Sequence, residues 1–100
     1  MGDSRNLSSG IKSFGKAAAD FLRIDSQVGL TLSSIALAAT DKEKKRRTTA
    51  AARKAYDAIA RLRDFVVLTD AENTALDHNM RRLKNELQSL GQLFNEHVSV

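Results

Sequence analysis

The side chains with chemistry to offer fall into two groups, a pair of histidines and a run of cations. His78 and His97 lie nineteen residues apart, and the chain contains no cysteine. Thiolate metal sites, Fe–S clusters, disulfides and a cysteine nucleophile are thereby excluded. Asp77 directly precedes His78, but adjacent positions on a helix point in different directions and form no acid–base couple. The Glu-x-x-His step of di-iron bundles is absent, as are H-E-x-x-H, G-x-x-x-x-G-K and G-x-S-x-G. No residue is assigned a catalytic, cofactor or metal role, and the chain is expected not to be an enzyme.

The cations are more conspicuous. Lys42, Lys44, Lys45, Arg46, Arg47, Arg53 and Lys54 fall within thirteen residues. Of the net charge of +4, residues 1–40 contribute +1, residues 41–66 contribute +5 and residues 67–100 contribute −2. Lys44, Lys45, Arg46, Arg47, Arg53 and Lys54 are the candidate phosphate contacts, since such a strip can neutralise nucleic-acid backbone and release counterions. Asp41, Glu43, Asp57 and Asp64 are interleaved with them, the pattern of a solvated helix face laced with ion pairs. No aromatic residue sits among the cations to stack on bases. The solvated face is the favoured expectation, and sequence-nonspecific nucleic-acid binding is the alternative. Residues 7–23 form a basic amphipathic segment that could lie on a membrane, although Asp20 disfavours anionic lipid and a docking helix has the same pattern.

The elements that must position these groups are helices. Leu76, Met80, Leu83, Leu87, Leu90 and Phe94 recur at alternating spacings of four and three, the stripe of a helix packed on another helix. Ala52, Ala55, Ile59, Leu62 and Val66 repeat the pattern upstream, with Tyr56 beside them. The intervening residues, 67–69, suffice only for a tight turn. Thr69 opens T-D-A-E, a capping box in which hydroxyl and Glu72 carboxylate each satisfy a backbone N–H. Residues 42–66 and 70–94 therefore read as an antiparallel hairpin, with residues 95–100 a tail. A second box, T-D-K-E from Thr40 to Glu43, marks the expected start of the middle helix, and a continuous helix through TDKEKKRRTT is the alternative.

The first forty residues carry Leu7, Ile11, Phe14, Ala18, Phe21, Val28, Leu32, Ile35 and Ala39 in the same rhythm, violated by Asp25. Residues 5–39 are thus one helix, or two broken near 24–27. Leu30 and Leu37 lie off the stripe, which predicts a buried segment over 27–39. Gly29 and Ser33 would let a neighbouring backbone approach closely.

One hundred residues make one domain. Fourteen of the 42 apolar residues are Ala, leaving 28 larger side chains, so the core is thin and sharing burial with a second copy is expected. The fold class is all-α: a hairpin completed by one or two N-terminal helices into a three- or four-helix bundle, expected to dimerise. No residue run is apolar enough to span a bilayer, and a cytoplasmic location is expected. The function expected is a non-catalytic helical interaction or self-association module, with itself or another helical protein as partner.

Overall fold

The computed structural model describes residues 2–94, with side chains placed from residue 15 onward. Among the described residues the fold is all-helical, and three helices pack against one another. Helix α1 spans Gly2–Ala38, α2 spans Lys42–Leu62 and continues into a short 3-10 turn at Arg63–Phe65, and α3 spans Asp70–Ser89. Ser26 bonds to Asn79 and Ser33 to Glu86, both 53 residues apart, so α1 and α3 run parallel. Helix α2 runs opposite to α3, because Arg63 meets Asp77 at 2.9 Å while Arg53 reaches the Leu93 carbonyl at 2.7 Å. Both shorter helices lean mainly on α1 rather than on each other.

The core has two adjoining parts. Leu22, Ile59, Leu76 and Met80 bury one another, flanked by Tyr56, Val66 and Leu68. Ala52, Leu83 and Leu87 form the other, flanked by Leu30, Leu32, Tyr56, Leu90 and Phe94. On α3, Leu76, Met80, Leu83 and Leu87 are buried at the expected positions. Leu90 and Phe94 lie past the helix, which ends at Ser89 rather than 94. Gly91 ends it with φ +92, a left-handed conformation open to a residue without Cβ. Its N–H donates to the Gln88 carbonyl and that of Gln92 to the Leu87 carbonyl, the paired bonds of a Schellman cap.

On α1 the expected stripe is displaced by one residue. The residues turned inward are Ala19, Leu22, Ser26, Gly29, Ser33 and Ala36, whereas Phe21, Val28 and Ile35 are exposed. The segment 27–39 is accordingly not buried all round, and Leu37 is exposed too. The cause is the distance of approach. A Cβ on Gly29 would lie 2.7 Å from Leu83 Cδ2 and 3.5 Å from the Ala55 Cβ, so larger side chains along this line would force the helices apart. The room at Gly29 is taken by the Leu83 and Ala55 side chains, and Ser33 is bonded to Glu86. The shift also explains why α1 passes Asp25 without a break. Asp25 stays off the inner face, and Ser26 turns inward instead, donating to its own Arg23 carbonyl at 2.7 Å and accepting from Asn79 at 3.0 Å.

Beyond Ala36 the inward spacing would next place Thr40, Glu43 and Arg47 against the core, an unfavourable burial of charge. The chain breaks instead at residues 39–41, and there is no continuous helix through TDKEKKRRTT. The cap of α2 is Asp41, not Thr40: its carboxylate accepts from the Lys44 N–H at 2.8 Å. A carboxylate also opposes the positive end of the helix dipole, which a hydroxyl does not. Glu43 makes no return bond and pairs with Arg46 at 2.6 Å. The box at Thr69 forms fully, with the hydroxyl accepting from Glu72 N–H and the Glu72 carboxylate from Thr69 N–H.

Candidate interaction surface

The inner face of α1 is used mainly by small residues and Leu22, with Leu30 and Leu32 half-buried beside it, and Phe21, Ile24, Val28 and Ile35 lie on the opposite side. Ala17, Phe21, Ile24, Val28, Thr31, Ile35 and Ala38 alternate at spacings of four and three, and all seven are exposed. Phe21 is 51% exposed, Ile24 49%, Val28 45% and Ile35 40%. Thr31 donates its hydroxyl to the Gln27 carbonyl at 3.1 Å, so its polar group is already engaged. At about 1.5 Å per residue the outer seam runs about 32 Å without a charged side chain.

The seam is extended at one end by the α2–α3 connection. Ala18, Phe21, Leu22, Leu62, Phe65 and Val66 line an apolar cleft of about 250 Å³, and Phe65 is 85% exposed. Leu62 and Phe65 reach the surface because α2 ends there: residues 63–65 tighten into a 3-10 turn and Val66 takes an extended conformation. Leu62, expected on the packing stripe, is thus outside it. Ala55 is half-buried, while Thr49 joins Ala52 and Ile59 as a buried residue of α2.

The six candidate phosphate contacts are divided by the structure. Arg53 is taken up within the fold. It pairs with Asp57 at 3.0 Å, donates to the Leu93 carbonyl and the Gln92 side chain, and lies 4.0 Å from the centre of the Phe94 ring. Phe94 in turn meets Tyr56 edge-on at 5.0 Å. Arg46 is held by Glu43. Lys44, Lys45, Arg47 and Lys54 are exposed. Lys42, Lys45, Arg46, Thr49, Ala50, Leu90 and Gln92 line an open cleft of about 420 Å³ beside the start of α2.

His78 is exposed on α3, and His97 lies outside the described residues. Among the described residues no group of three or more His, Cys, Asp or Glu side chains could hold a metal ion. No described helix is long and apolar enough to cross a membrane. Much of the amphipathic segment 7–23 lies outside the described side chains. Comparison with protein-family models, curated proteins and solved structures finds no match to this chain.

Ile24, Leu62 and Phe65 were not expected as surface residues. The signal that could have found the outer seam was Asp25. A single charge at a repeat position of an apolar stripe, next to a parallel line of Ser26, Gly29 and Ser33, marks the stripe as misphased by one residue.

Proposed function

We propose that this chain is a non-catalytic helical interaction module whose working surface is the outer face of α1. The observation that carries it is the uncharged, exposed heptad seam from Ala17 to Ala38, since a contiguous apolar strip of this kind is costly to leave in water and marks association sites. Its ligand is a helix of matching apolar spacing, seated by knobs-into-holes packing. The test is stoichiometric binding of a helical protein, a second copy included, by wild-type chain and by Ile24→Glu. Loss of binding in the variant with unchanged helicity is expected; equal binding by both removes the outer face as the working surface.

A second reading rests on Lys42, Lys45 and Arg46, which line the open cleft at the start of α2, and on the exposed Lys44 and Arg47 of the same helix. It is sequence-nonspecific binding of nucleic-acid phosphates, weakening steeply with salt. Replacing Lys44, Lys45, Arg46 and Arg47 together should abolish duplex retention at low salt, and absence of retention by the wild-type chain overturns it.

A further inference from the structure

We infer that residues 91–94, the segment after α3, form a strap that withholds Arg53 from the basic cleft until nucleic-acid phosphate displaces it. This rests on the phosphate reading of α2 and adds a guarded cation to it. The first observation is placement. Lys42, Arg46, Thr49 and Arg53 follow one another at spacings of four, three and four, which sets them along one face of α2. The first three line the open cleft, and Leu90 and Gln92 complete its lining. Gln92 Oε1 also accepts from Arg53 Nη1 at 3.3 Å. Arg53 thus stands next to the cleft with its guanidinium turned to the strap.

The second is the kind of partner that holds Arg53. Its Nε belongs to Asp57, at 3.0 and 3.2 Å from the two carboxylate oxygens. Its Nη1 donates to the Leu93 carbonyl at 2.7 Å as well as to Gln92, and the Phe94 ring lies 4.0 Å from the guanidinium carbon. All three groups supplied by the strap are neutral. A phosphate oxygen brings the negative charge that they lack, and guanidinium–phosphate bonds are among the strong ones. Phosphate can therefore take Nη1 from the strap while Asp57 keeps Nε.

The third is how the strap is fastened. Its base is secured by the Gly91 and Gln92 amides on the Gln88 and Leu87 carbonyls. Beyond that base Leu93 is 86% exposed. Phe94 is half-buried at the margin of the core, against Arg53, the edge of Tyr56 at 5.0 Å and the Lys84 ammonium at 5.4 Å. The movable part is Leu93 and Phe94, and the Phe94 ring is its clasp.

Retention of a DNA duplex over a series of salt concentrations is the test, with circular dichroism to confirm folding. Phe94→Ala should bind more tightly than the wild-type chain at low salt. Its log K should also fall with log salt more steeply by about 0.9, the increment of one added phosphate contact. Adding Arg53→Gln to Phe94→Ala should return the slope to the wild-type value. Should Phe94→Ala lose helicity, Phe94→Leu, which keeps apolar bulk without a ring face for the cation, carries the measurement. Equal affinity and slope in the Phe94 variant and the wild-type chain overturn the strap and leave the phosphate reading standing. A steep slope that survives Arg53→Gln overturns it in the same way. Retention by neither chain removes the phosphate reading and the strap together.

Discussion

The two long faces of α1 divide the residue sizes in an unexpected way. Inward lie Ala19, Leu22, Ser26, Gly29, Ser33 and Ala36; outward lie Phe21, Ile24, Val28 and Ile35. Were hydrophobicity alone to choose the buried face, the outward set would win. Fit wins instead, because two shorter helices must both close on α1, and the Gly29 backbone sits where a Cβ would meet Leu83. The inner face therefore gets its stability from large residues contributed by α2 and α3, such as Ile59, Leu83 and Leu87. The outer face leaves its own large residues exposed.

Substitutions can break or sharpen that contrast. The greatest loss should come from Leu83→Ala, which empties a fully buried site and should cost about 2–5 kcal/mol; an unchanged midpoint in urea would contradict the inner packing. Gly29→Val should cost about 1–3 kcal/mol by overpacking against Leu83, read from the same denaturation, and a stabilising effect would mean the helices have room to spare. Thr69→Ala touches neither face and calibrates the scale, with an expected cost of about 0.5–2 kcal/mol from loss of the cap. Smallest of all, Val28→Ser at concentrations where the chain is monomeric should shift stability by no more than about 0.5 kcal/mol. A loss comparable to that of Leu83→Ala would erase the distinction between inside and outside.

The contrast also separates what the sequence made legible from what it did not. Leu76, Met80, Leu83 and Leu87 were readable because large apolar residues on α3 have no rival face, and Thr69 with Glu72 because both partners of the box are local. The phase of α1 was not readable from size, since two apolar lines one residue apart compete on it and the choice depends on how closely another helix approaches. Local chemistry was ambiguous at Thr40-Asp41, where either side chain can cap and the carboxylate prevails. Arg53 looked like a surface cation because its partners, Gln92, Leu93 and Phe94, are about forty residues away and converge only when α3 ends at Gly91.

The link before α2 and the segment after α3 differ in how readily they should open. The first turn of α2 is capped by the Asp41 carboxylate, next to a three-residue link with exposed side chains on Thr40 and Asp41. The segment after α3 folds back across α2 and is tied by the Gly91 and Gln92 amides, the Arg53 guanidinium and the Phe94 ring. Helix termini ordinarily exchange their amide protons fastest, because fraying costs least there. Here that order is inverted: the Gly91 and Gln92 amides should exchange more slowly than those around Thr40. Among the described residues, the first connection should therefore open more readily than residues 91–94.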